Sequence, residues 1–179
     1  TTLHTVIDKD EKRLFMTGPL ARFNLNYDVF PKHVKSLIAK TELKPVVKNP
    51  FKSLIVRMIE TYYACEEAKR IIDNYKYPEN ALPEIKVKAG KGQSVTEAPR
   101  GILFHRYEID KDGLIKNARI VAPTSHNQRI IEDDLRRLVD KFHQLNDKAL
   151  TEKCEQSIRN YDPCISCSTH FLNVTVERE

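Results

Sequence analysis

Residues 97–127, EAPRGILFHRYEIDKDGLIKNARIVAPTSHN, carry the pattern from which the fold is read. Gly101 to Ile109 and Leu114 to Val121 are rich in Ile, Leu, Val, Phe and Tyr, and they flank Asp110-Lys111-Asp112-Gly113. Asp and Gly supply the turn conformations that close an antiparallel strand pair. A β-hairpin is therefore predicted here. Four of the five glycines, Gly90, Gly92, Gly101 and Gly113, fall in this middle part of the chain. Strand and turn are concentrated there, and both ends read as helix-rich.

Working outward, the strongest helix signal lies before the hairpin. Asn49 suits an N-cap and Pro50 the first helical position. Apolar residues then recur at Phe51, Leu54, Ile55, Met58, Ile59, Tyr62, Cys65, Ile71, Ile72 and Tyr75, until Pro78 stops the run. A shorter helix is predicted from Pro31 to about Leu43. After the hairpin, a second long helix is predicted to follow Asn127, with Ile131, Leu135, Leu138, Phe142 and Leu145 on one face. A third is predicted from Leu150 through Cys154 to Ile158. No βαβ alternation occurs, which disfavours a dinucleotide-binding sheet. The fold class that follows is α+β, mainly α-helical, with a short antiparallel hairpin or sheet. Residues 1–179 are read as a single domain.

Composition narrows the function classes. The chain is 40% hydrophobic and 31% charged, enough apolar residue for a core and too much for wholesale disorder. Its net charge of +5 is spread along the chain rather than gathered in a basic patch, so no nucleic-acid partner is expected. No apolar run reaches the roughly 20 residues of a membrane span. Thr1 to Arg13 is polar and mixed in charge, unlike a secretory leader. Four cysteines in a chain of this size make no disulfide framework, so a cytoplasmic, reducing setting is expected.

Three segments could carry chemistry. Asp162-Pro163-Cys164-Ile165-Ser166-Cys167 continues to His170, giving CxxCxxH. Two thiols at that spacing can hold one metal ion, as half of a structural zinc site or of another centre, or can form a redox pair. Cys65 and Cys154 are isolated on helical stripes and read as small buried hydrophobes. Glu97-Ala98-Pro99-Arg100-Gly101 places an arginine at the mouth of the hairpin, with His105 following. Arg100 is either a fork for an anionic group or one half of a structural ion pair. Pro123-Thr124-Ser125-His126-Asn127 is rich in helix-capping residues, and capping alone accounts for Asn127.

Together these segments resemble the large subunit of nickel–iron hydrogenases. DPCxxCxxH, EAPRGxLxH and PTSxN all match in order, as do Gly18-Pro19-Leu20-Ala21-Arg22 and Asn49-Pro50-Phe51-Lys52. The hairpin His105 to Asp110 and the stretch Pro123 to Gln128 look most like the cytoplasmic bidirectional group, which couples to NAD(P), to the deazaflavin F420, or to a heterodisulfide reductase. The resemblance implies an Ni-Fe(CN)2(CO) centre at which H2 is split. Cys164 would be a terminal nickel ligand and proton acceptor, and Cys167 would bridge nickel and iron. Arg100 would stand over the metals, oriented by Asp162. Thr124 would donate to a cyanide, with Pro99 and Pro123 packed around the diatomic ligands. His170 and the backbone carbonyl of Ile120 would face a separate structural Mg2+ or Fe2+. An iron–sulfur small subunit, electron-transfer subunits and a maturation endopeptidase are the implied partners.

The chain also departs from that pattern. The family's N-terminal RxCxxC does not occur in it, so it looks like the C-terminal part of a large subunit. Phe171 to Glu179 extend past the motif histidine, near which maturation cuts. Two of four nickel thiolates and a retained tail imply a chain that is apo and inactive by itself. Its long helix is apolar on more than one face, which implies self-association. Two other readings compete. A quinone-site subunit related to respiratory complex I is metal-free, and the paired cysteines argue against it. A zinc-stapled interaction module would use Cys164, Cys167 and His170 but leaves the Pro99-Arg100-Gly101 and Pro123-Thr124 segments unexplained.

Overall fold

In the computed structural model, residues 14–82, 86–162 and 174–175 are described, and the statements below concern these. Pro19 at the first helical position opens α1 (Pro19–Asn26), which buries Leu20 and Phe23. A single 3-10 turn, Tyr27–Val29, leads to α2 (Lys32–Ile38), which buries Val34 and Ile38. The helix predicted to reach Leu43 thus ends five residues early. The Thr41 hydroxyl explains the stop. It donates to the Ile38 carbonyl at 2.7 Å and accepts from the Leu43 N–H at 3.2 Å. That local turn competes with helix and returns Leu43 to the core.

Asn49 accepts from the Phe51 N–H at 2.9 Å and starts a 3-10 turn over Pro50–Lys52. α3 (Ser53–Asp73) follows directly. Its Val56 and Ile59 join Leu20, Phe23, Val34, Ile38, Leu43 and Val47 in one helical core. Each such buried side chain contributes about 1.5–3 kcal/mol. Phe23, Phe30 and Tyr63 continue the packing as tilted and edge-on rings. The apolar stripe of α3 is only partly used, because Leu54, Met58, Tyr62 and Ile72 are exposed.

The middle of the chain forms a three-stranded antiparallel sheet in the order β1 (Gly90–Ala98), β2 (Gly101–Ile109), β3 (Ile115–Val121). The β2–β3 hairpin is where the turn chemistry placed it. β1 extends it, and GKGQSVTEA gave no apolar alternation to announce it. Its nine residues pair one-to-one with β2, from Gly90 opposite Ile109 to Ala98 opposite Gly101. On the other edge His105 lies opposite Ile120 and Phe104 opposite Val121.

α4 (Pro123–Phe142) packs on β2 and on α5 (Asp147–Arg159). It begins four residues before Asn127, not after it, because Pro123 takes the first helical position. Asn127 is buried within the helix and is not its cap. Asn146 caps α5 by accepting from the Ala149 N–H at 2.9 Å, so that helix also starts ahead of Leu150. α5 buries Leu150 and Cys154, and burial pushes the Cys154 thiol pKa up. No helix among the described residues is long and apolar enough to cross a membrane.

Candidate functional site

Arg100 sits in the two-residue turn that joins β1 to β2, and the turn is gripped by residues 17–22. Gly18 (φ 100°) and Gly101 (φ 138°) make this close approach. A Cβ on Gly18 would stand 2.7 Å from the Arg100 carbonyl oxygen, and one on Gly101 2.4 Å from the Thr17 hydroxyl oxygen. Both positions also have backbone conformations that L side chains rarely adopt. Thr17 is tied in turn to α4. Its N–H and hydroxyl donate to Asn127 Oδ1 at 2.8 and 3.2 Å, and Asn127 Nδ2 donates to its carbonyl at 3.0 Å. Because β2 and β3 are antiparallel, the start of β2 and the end of β3 share one end of the sheet. Pro123 and Thr124, at the start of α4, are therefore at the same end as Pro99 and Arg100.

Arg22 makes the second attachment. It forms a bidentate pair with Glu60 on α3, both bonds at 2.8 Å. The same guanidinium donates to the Ala98 carbonyl at 2.9 Å and the Pro99 carbonyl at 2.8 Å. The Glu60 carboxylate raises the Arg22 pKa above its ordinary value, against the opposing effect of burial.

The Arg100 side chain itself meets Asp162. Arg100 Nε lies 3.0 Å from Asp162 Oδ2, with the two side chains 43% and 38% exposed. At that exposure the pair contributes little stability, so its value is in geometry. Asp162 follows α5 with φ 48°, a conformation that Asp tolerates better than most residues, and its N–H donates to the Arg159 carbonyl at 2.9 Å. The end of α5 is held to α3 by two donors on the Asn160 carbonyl, Ser53 Oγ at 2.6 Å and Arg57 Nη1 at 2.9 Å. Tyr161 donates to Asp134 on α4, and burial with that carboxylate pushes its phenol pKa well up. A cavity of about 790 Å³ opens beside the pair, bordered by Arg22, Arg57, Glu60, Pro99 and Asp162.

Sequence reasoning reached Arg100, Asp162, Pro99, Pro123 and Thr124, and these lie on segments that meet at one end of the sheet. Ile120 is on the β3 edge, paired with His105, and its side chain is exposed. His105 shares a 2.8 Å hydrogen bond with the Tyr107 hydroxyl. Cys164, Cys167 and His170 lie outside the described residues. Among the described residues no three His, Cys, Asp or Glu side chains are grouped to hold a metal. Cys65 is exposed on α3 while Cys154 is buried in α5. The roles of Glu60 and Asn127 were missed. The one signal was Arg22 following Gly18-Pro19, and it carried no hint of a carbonyl clamp.

The sequence profile of the nickel-dependent hydrogenases matches residues 10–170. The chain belongs to that family. It is 32% identical over 164 residues to the alpha subunit of sulfhydrogenase 1 from Pyrococcus furiosus, covering 90% of this chain and 38% of that protein. It is 33% identical over 122 residues to the beta subunit of the NAD-reducing hydrogenase HoxS from Cupriavidus necator, covering 65% and 25%. Among solved structures, an NAD+-reducing [NiFe]-hydrogenase in the H2-reduced state superposes with a TM-score of 0.74 at 25% identity, over 90% of this chain and 37% of that one. The helical core, sheet and α4–α5 pair are thus a partial large-subunit fold. This hydrogenase-family chain spans between 25% and 38% of the length of these relatives.

Proposed function

We propose that the chain is the C-terminal part of the catalytic subunit of a nickel–iron hydrogenase and supplies two of its nickel thiolates and much of the polar wall around them. The observation that carries this reading is the Arg100–Asp162 pair. It brings the turn before β2 against the residue that opens DPCxxC, two residues with 61 others of sheet and helix between them.

The donor set fits an Ni-Fe(CN)2(CO) centre. Thiolates suit nickel and low-spin iron, and Cys164 stands two positions beyond Asp162. A guanidinium engaged through Nε has further N–H donors for anionic diatomic ligands. When bound, that centre supplies the metals at which H2 is split, giving two protons and two electrons overall. The Cys164 and Cys167 thiolates would hold the metals, and the Cys164 sulfur would take up a proton. Asp162 keeps Arg100 in place, and Arg100 holds a permanent positive charge over the site. Thr124 would donate its hydroxyl to a cyanide nitrogen. Pro99 and Pro123 would pack around the diatomic ligands without adding N–H donors. His170 and the Ile120 carbonyl would hold the separate Mg2+ or Fe2+. Electrons would leave through an iron–sulfur small subunit to subunits serving NAD(P), F420 or a heterodisulfide reductase. The names of the relatives support that direction. A maturation endopeptidase would trim the tail after nickel insertion. With two of the four thiolates, the 179-residue chain by itself would be inactive.

Metal analysis and H2 uptake on the intact enzyme that carries this sequence test the proposal. Nickel and iron are expected together. Cys164→Ser should abolish nickel. Arg100→Lys should keep the metals and lower turnover by roughly 100-fold, the size of a lost electrostatic contact at a reacting centre. Zinc in place of nickel, with Arg100→Lys silent, would overturn the reading in favour of a zinc-stapled module.

A further inference from the structure

The Arg100–Asp162 pair is held from both sides by one face of α3. Ser53, Arg57 and Glu60 are spaced i, i+4, i+7, so they share that face. Ser53 and Arg57 grip the Asn160 carbonyl, two residues before Asp162. Glu60 grips Arg22, and Arg22 grips the carbonyls of Ala98 and Pro99, the two residues before Arg100. Arg22 spends all five N–H donors here. Nε and one Nη2 hydrogen go to Glu60, the other Nη2 hydrogen goes to Pro99, and Nη1 reaches Ala98 at 2.9 Å and Glu97 at 3.4 Å. Its side chain is 20% exposed and that of Glu60 21%, about half the exposure of the Arg100 and Asp162 side chains. The more enclosed pair thus stands beneath the more open one.

We propose that Arg22, locked by Glu60, is a positioning residue that sets where Arg100 stands relative to Asp162, with the Ser53–Arg57–Glu60 face of α3 as the common ruler. Fixing two consecutive carbonyls fixes two peptide planes, and with them the direction in which the Arg100 side chain leaves the backbone. From the other side Gly18 abuts the Arg100 carbonyl, which closes the remaining freedom of the turn. A lysine at position 22 has one nitrogen and no planar fork, so it cannot hold a carboxylate in two bonds and two carbonyls at once. That this placement serves H2 chemistry rests on the function proposed above. The placement itself does not.

The test is NMR on the whole chain, following the Arg100 Nε–H signal, assigned by its loss in Arg100→Lys. In the native chain that signal should be separate from the exposed arginines and slow to exchange. Arg22→Lys and Glu60→Gln should each speed its exchange by about tenfold, the size expected when a charge-assisted hydrogen bond loosens. Glu60→Gln is isosteric and serves if Arg22→Lys does not fold. Val34→Ala, in the helical core, controls for destabilisation alone. It should lower the melting temperature and leave the Arg100 signal in place. An unchanged signal in Glu60→Gln, or an equal change in Val34→Ala, would overturn the proposal. No metal is involved, so that failure leaves the hydrogenase reading standing. Conversely, a passing clamp combined with zinc in place of nickel and no H2 turnover in the intact enzyme would remove the hydrogenase reading and leave the clamp.

Discussion

The two ends of the three-stranded sheet are held very differently. At one end, Ala98 to Gly101 is bound by Arg22, packed against Thr17 and Gly18, and linked through Asn127 to α4. At the other, Gly90 to Gly92 and Ile115 to Asn117 are exposed, and both segments pair with β2. An antiparallel ladder transmits position along its length, so anchoring one end suffices to aim the whole sheet. The anchored end is also the one that carries Arg100. Rigidity is thus spent where geometry matters to the proposed site.

The largest test of that contrast is Gly101→Ala. The new Cβ would meet the Thr17 hydroxyl oxygen at 2.4 Å on a backbone with φ 138°. Backbone strain of about 1–2 kcal/mol adds to overpacking of about 1–3 kcal/mol, so a loss of roughly 3 kcal/mol is expected in urea unfolding. A loss under about 1 kcal/mol would mean the junction is loose.

Asn127→Asp should follow, at roughly 2 kcal/mol. It keeps the acceptor for Thr17 but turns the Nδ2 donor into an oxygen facing the Thr17 carbonyl, in a buried place. Thermal unfolding reads it, and an unchanged midpoint would remove Asn127 from the junction.

Tyr161 gives a smaller effect with a sign in pH. Its phenol pKa is raised in the folded state by burial and by Asp134. The unfolded chain ionises first, near pH 10, so this contribution is whole below about pH 10 and is lost as pH rises above it. Tyr161→Phe should cost about 1.5 kcal/mol at neutral pH, as for a hydrogen bond to a charged group, and should flatten the alkaline fall in stability. An identical alkaline profile in the variant would assign that fall to other groups.

Much of this was legible before the fold was known, and for physical reasons. Asp110 to Gly113 announced its hairpin because turn geometry is local, and Asn49-Pro50 announced α3 because capping is local. Arg100 and Asp162 stood out only as motif residues. Their approach depends on where α5 ends relative to β2, which no short stretch encodes. β1 stayed hidden because its stability comes from pairing with β2 rather than from its own side chains. Asn127 was read as a cap since Asn favours helix starts, yet a partner 110 positions away claimed its side chain. Glu60 gave no signal in the sequence, because its partner Arg22 comes from α1, 38 positions away.

The smallest effect is the sharpest control. Gly92 lies on β1 toward the free end, opposite Tyr107, and a Cβ there would meet nothing within 4 Å. Gly92→Ala should therefore change stability by less than about 0.5 kcal/mol, and in the favourable direction, since alanine leaves the unfolded chain less freedom to lose. The same one-carbon addition would then differ by several kcal/mol between two glycines of the same sheet. The added carbon is the same at both positions, so the difference comes from the crowding against Thr17 and the φ of 138° at Gly101. If Gly92→Ala instead matched Gly101→Ala in urea, the free end would have to be covered in solution, and the sheet would be anchored along its whole length. The aim of Arg100 could then no longer be assigned to the junction alone.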